Sequence, residues 1–108
     1  MTINCTGRIN VATPGTPVPL STDDTVVASK LFFQAIPGLT GHTYIGSPGM
    51  TKATLAGVAR VLAPNPAGGF SEYFYIESQD GEDSIHLAEY AIDADVAGEG
   101  LLVTWWSE

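Results

Sequence analysis

Residues Thr25 to Ile36 read TVVASKLFFQAI, the longest β-type run in a chain of 108 residues. Its β-branched and aromatic side chains suit a pleated, half-buried surface. Successive side chains of a strand point to opposite faces. Val27, Leu31, Phe33 and Ala35 therefore fall on one side, interrupted at Ser29, with Lys30 and Gln34 on the other. An apolar and a polar side on one strand place a core beneath one face of a sheet. Pro37-Gly38 ends the run in a turn.

The same pattern extends in both directions. Ile3 to Val11 is a first strand, Thr13-Pro14-Gly15 a turn, and Ser21 to Asp24 a polar loop. Thr16 to Leu20 is a short strand that Pro17 and Pro19 confine to a sheet edge, because proline donates nothing to a ladder. After the central run come a short strand at Thr43–Gly46 and a turn at Ser47-Pro48-Gly49. Thr51 to Leu62 is the best helical candidate, with Leu55, Val58, Ala59 and Leu62 at helical spacing. Gly57 would cost about 1 kcal/mol inside such a helix, and Gly57 to Leu62 reads equally well as a strand. Pro64 to Gly69 is a loop, and Gln79 to Ser84 an acidic turn. Phe70 to Ser78 alternates with aromatics on both faces, which points to cover on both sides, one of them from another subunit. Leu87–Val96 and Leu101–Trp106 flank Ala97-Gly98-Glu99-Gly100, a hairpin signature. About seven or eight short strands, with turns every roughly 8 to 12 residues, predict an all-β, antiparallel β-sandwich or jelly-roll-like small barrel. The length fits one domain, residues 1–108.

Composition narrows the function. The chain is 44% hydrophobic and 15% charged, which excludes a disordered polyampholyte. Four basic residues against twelve acidic ones give net charge −8, a balance that repels nucleic-acid phosphates and anionic membrane surfaces. Neither partner is expected. No apolar run reaches the ~18 residues of a membrane span, and the first residues lack the apolar core of a secretory signal. Arg8, Lys30, Lys52 and Arg60 precede residue 61, whereas ten of the twelve acids lie from Glu72 to Glu108. That asymmetry either solubilises a sheet face or supports head-to-tail association. Cys5 is the only cysteine, so no internal disulfide forms, and a lone cysteine is most often a small buried apolar residue.

No residue pattern announces catalysis. His42 and His86 have no partner at metal-ligand spacing, and no metal or cofactor is expected. Asp80, Glu82 and Asp83 crowd one turn but lack the EF-hand pattern, so a solvated turn is the reading taken over a calcium loop. Asp93 and Asp95, two apart on a strand, would share a face, as a glycosidase carboxylate pair requires. A solvated strand face is again the simpler reading. The chain has neither a nucleophile elbow nor a phosphate-binding glycine loop, and it is not expected to be an enzyme. Trp105 and Trp106 are adjacent, so one enters the core while the other stands outside, where a loop or a subunit must cover it.

Several segments in order, Gly7-Arg8-Ile9-Asn10-Val11, Gly15 to Ser21 (GTPVPLS), Val27-Ala28-Ser29-Lys30 with Gln34 to Gly38, Thr40 to Gly46 (TGHTYIG), and Tyr90 to Val96 followed by Gly98-Glu99-Gly100, carry a resemblance. The chain resembles small β-rich proteins of tailed-phage virion gene clusters. The resemblance spans most of the chain and rests on turns and strand starts. It implies a virion structural component of capsid-decoration or head-fibre type. The expectation is a capsid decoration (cement) protein, made in the host cytoplasm and located on the capsid surface, that binds and stabilises the assembled shell. Its partner would be the major capsid protein, and it would be a homo-oligomer, a trimer before a dimer. Trp105, Trp106, Phe70, Tyr73 and Tyr75 are the expected contacts, with Arg8 and Lys30 facing an acidic shell. The alternative is a receptor- or carbohydrate-binding module of a head or tail fibre, with Tyr73 and Tyr75 stacking on sugars beside Glu77. The chain departs from the pattern at Phe70–Glu89 and at Trp105–Glu108.

Overall fold

In the computed structural model, which describes residues 2–64, 72–79 and 81–107, the run Lys30–Ala35 is an inner strand of a four-stranded antiparallel sheet. The described residues form ten strands: β1 (Thr2–Asn10), β2 (Val18–Pro19), β3 (Val27–Ala28), β4 (Lys30–Ala35), β5 (Thr43–Thr51), β6 (Ala56–Leu62), β7 (Tyr73–Glu77), β8 (Ile85–His86), β9 (Ala91–Ala94) and β10 (Gly100–Ser107). The first sheet has the order β1-β10-β4-β7, the second β2-β9-β5-β6, and β3 pairs with β8. Apart from the two-residue strands β3 and β8, successive strands change sheet at every connection except the β5–β6 hairpin. That wrapping is the jelly roll, and the protein is all-β and sandwich-like, as its alternation predicts.

The core lies between the two four-stranded sheets. Leu31, Phe33 and Ala35 of β4, with Leu101 and Val103 of β10, face Ile45, Leu62, Ile92 and Ala94 from the second sheet, and all are fully buried. Ala28 and Ile85, from the β3–β8 pair, and Leu87 join the same core. Arg60 lies with its guanidinium 5.9 Å from the Phe74 ring, joining edge strand β6 to edge strand β7. The edge placement of the Pro17–Pro19 segment holds, since β2 borders the second sheet.

Five local expectations are corrected. The central run breaks at Ser29, whose N–H and hydroxyl both donate to the Trp106 carbonyl, at 2.8 and 3.2 Å, while its own carbonyl accepts from the Ser78 N–H. The chain redirects there, so Ala28 takes the buried position and Val27 is only half-buried. Ser47-Pro48-Gly49 stays extended within β5, and the reversal falls at Lys52–Leu55, where Leu55 adopts φ +62°. The helical reading of Thr51–Leu62 fails and the strand reading of Gly57–Leu62 holds, within β6. Gly57 at φ +75° sits in a bulge where a Cβ on Gly46 would lie 2.2 Å from the Gly57 carbonyl oxygen. Leu87–Glu89 is a 3-10 turn rather than the start of a strand, closed by the Tyr90 N–H on the Leu87 carbonyl. Finally, Ala97–Gly100 joins no hairpin. Strands β9 and β10 belong to different sheets, and the loop between them is tied to Val11, which donates to the Glu99 carbonyl at 2.9 Å and accepts from the Gly98 N–H at 2.8 Å.

Residues 65–69 of the predicted Pro64–Gly69 loop lie outside the described residues. No helix among the described residues is long and apolar enough to cross a membrane.

Candidate functional site

Alternation that sends Leu31 and Phe33 inward sends Lys30, Phe32 and Gln34 outward, onto the exposed face of the first sheet. Strand register then sets the neighbours. Ile3, Trp106, Lys30 and Glu77 form one row across β1, β10, β4 and β7, and Cys5, Thr104, Phe32 and Tyr75 form the next. Arg8, Leu102, Gln34 and Tyr73 form the third. Of the six large hydrophobic side chains that stay exposed among the described residues, four stand on this face: Ile3 (58%), Tyr73 (56%), Tyr75 (49%) and Leu102 (39%). The other two, Leu55 and Val96, lie in turns.

The face is aromatic toward β7. Phe32 and Tyr73 stack with ring centroids 5.6 Å apart and planes at 17°. The Lys30 ammonium lies between two rings, 5.1 Å from the centre of Tyr75 and 5.4 Å from that of Trp106. Such cation–π contacts are worth about 0.5–1 kcal/mol each when exposed, and they hold Trp106 against the sheet. Trp106 is thus the outer tryptophan, whereas Trp105 packs against the core. Phe70 lies outside the described residues. Arg8 donates from Nε to Asn10 Oδ1 and from Nη2 to the Gly98 carbonyl at 3.2 Å. Cys5 is exposed on this same face rather than buried, because β1 is an edge strand with the core on its other side.

Edges offer less than the face. Strand β1 is bulged between Cys5 and Gly7, β2 has two residues, β6 has an irregular register against β5, and β7 has five residues. Bulges and short edge strands discourage strand addition.

The fold sets bases from the first half of the chain beside acids from the second. Antiparallel pairing sets Lys30 opposite Glu77, and Lys52 bridges Asp95 at 3.1 Å. On the outer face Glu77 is the only acid among the described strand residues, against Arg8 and Lys30.

Asp93 and Asp95 do not share a solvated strand face. Strand β9 ends at Ala94 and the chain bends, which separates the two environments. Asp93 is 1% exposed, and its Oδ1 accepts from the Gly15 N–H at 3.0 Å and the Ala94 N–H at 2.8 Å. Exposed Asp95 accepts from the Tyr44 hydroxyl at 3.0 Å and from Lys52, with His42 at 3.8 Å. Partial burial of Asp95 opposes its charge, but Lys52 and Tyr44 hold its carboxyl below the ordinary aspartate range. In turn, burial and the neighbouring Asp95 raise the Tyr44 phenol. Asp80 lies outside the described residues, and Glu82 and Asp83 both have partners.

Glu99 is a polar anchor that sequence patterning missed. Its carboxylate accepts from the Thr40 N–H at 2.9 Å, the Gly41 N–H at 3.0 Å and the Thr40 hydroxyl at 3.0 Å. Burial works against its charge, yet those donors and nearby Arg8 hold its carboxyl below the ordinary glutamate value. A depressed folded-state pKa contributes stability that is present above the unfolded value and is lost as pH falls through the folded one. Unfolding followed from pH 7 to pH 3 should therefore show a decline below about pH 5 that is shallower in Glu99→Gln. Parallel profiles would remove Glu99 from that role.

Comparison of the chain with protein-family models, with curated proteins and with solved structures finds no match.

Proposed function

We propose that this chain is a non-enzymatic structural component of a tailed-phage virion, a capsid decoration protein, and that the outer face of the first sheet is its assembly contact. The observation that carries the reading is the gathering, among the described residues, of four of six exposed large hydrophobics on one sheet face. Exposed apolar surface concentrated in one patch marks an interaction site. Jelly-roll wrapping is also the architecture of viral capsid domains, a likeness of fold alone. Net charge −8 favours solubility before assembly. In this reading the major capsid protein is a partner and the virion surface is the location.

Quantitative mass spectrometry of purified virions tests it. Copies in the hundreds per particle support a shell component, a handful would move the protein to a fibre or the tail, and absence would overturn the virion reading. At the residue level, Trp106→Ala should weaken assembly by roughly 10- to 100-fold. It should lower folding stability by only about 1 kcal/mol, the worth of the lost Lys30 contact. Equal loss of both would sink the assignment of Trp106 to the contact.

The stacked Phe32 and Tyr73 rings, with Gln34 and Glu77 on the same face, favour a carbohydrate-binding module as second reading. Saturable binding on a glycan array, abolished by Tyr73→Ala, would select it.

A further inference from the structure

Resting on that reading of the outer face as a contact, we propose that its occupant is a second copy of this chain, stacked face to face about a two-fold axis. Register places Arg8 on β1 in the third row and Glu77 on β7 in the first, so the two charges occupy diagonally opposite corners. A two-fold axis along the other diagonal, from Ile3 to Tyr73, brings each Arg8 onto the Glu77 of the other copy. The same operation lays Leu102 of each face against Tyr75 of its mate, while Ile3 and Tyr73, on the axis, each meet their own counterpart. A patch that exchanges its own acid with its own base is self-complementary, as an isologous interface requires. The strands of the two copies then cross near a right angle, one of the two packings that sheets adopt.

The size of the face sets the strength. Four strands about 4.8 Å apart and about 20 Å of strand length give a footprint of about 400 Å² per copy, half that of a standard interface. A footprint of that size belongs to weak, transient pairs. The assembly is a two-fold pair, not the trimer favoured from the sequence.

Sedimentation equilibrium of the purified chain from about 1 to 500 µM, in 0.15 M salt, tests the proposal. Screening over about 8 Å then damps repulsion between two acidic copies and leaves the corner contacts in force. The expected result is a monomer–dimer equilibrium, weakened at least fivefold by Arg8→Glu and by Glu77→Arg and restored in the double exchange. A monomer throughout, a trimer, or single exchanges without effect would overturn it. Arg8 also holds Gly98, so a measurement that needs no variant stands beside these. Cys5, the only thiol, lies within the face, and its alkylation by N-ethylmaleimide should slow severalfold across the concentration range. A rate independent of concentration would refute the pairing. Neither experiment uses virions, so failure of the pairing and failure of the virion reading are told apart by the copy count in particles.

Discussion

Alanine at Gly100 is expected to cost the protein much of its stability. Gly100 opens β10 opposite Asn10 and is buried. A Cβ there would lie 1.8 Å from the Ile9 carbonyl oxygen and 2.8 Å from the Asn10 Cα, both backbone atoms. No rotamer relieves such a clash. Strand β1 would have to withdraw from β10 at its best-anchored end, where Val11 binds the Gly98–Glu99 loop. The expected loss exceeds about 3 kcal/mol, against a total of roughly 5–15 kcal/mol for a domain. Gly49→Ala is the control, since nothing lies within 4 Å of its added carbon, and it should stay within about 0.5 kcal/mol. Urea denaturation of both variants reads the difference. Similar midpoints would contradict the close approach of β1 to β10.

Phe33→Ala is the second large effect. Phe33 heads the fully buried side chains by volume and stacks on Phe74 with centroids 6.4 Å apart. Its removal should cost about 3–5 kcal/mol, the lost transfer energy plus that of the cavity left behind. Phe32, its neighbour, faces outward and is only half-buried. Phe32→Ala should cost less than half as much while weakening self-association. Equal costs in denaturant would refute the assignment of these adjacent rings to opposite faces.

Much of this architecture is legible in short-range pattern. Leu31, Phe33 and Ala35, and likewise Leu101 and Val103, alternate with half-buried or exposed neighbours and are buried as that alternation demands. Pattern fails where a distant partner decides. Nothing near Ser29 reveals that the Trp106 carbonyl will take its N–H, so the phase change at Val27–Ala28 is invisible locally. Ala97–Gly100 shows that the chain turns, but not which sheet the next strand joins. Asp93 looks like any exposed strand acid until the turn holding Gly15 folds over it. The aromatic face was half legible. Tyr73, Tyr75 and Trp106 stand out by type, whereas Ile3, Phe32 and Leu102 join them only once the order β1-β10-β4-β7 is known. Phe32 had a usable signal, because the alternation that buries Phe33 already turns it outward.

The position of β10 has a consequence for how the chain acquires its shape as it is made. Strand β1 bonds to no strand but β10 among those described, and β10 is also the link from β1 to β4. A nascent chain therefore carries nine residues of unpaired edge until residues 100–107 have emerged. At about 5–20 residues per second that interval lasts on the order of 5–20 s. During it the second sheet can close, since β2, β5, β6 and β9 are all complete by Ala94. β10 thus meets a half-built sandwich, and its insertion between two waiting strands is the step that locks the first sheet.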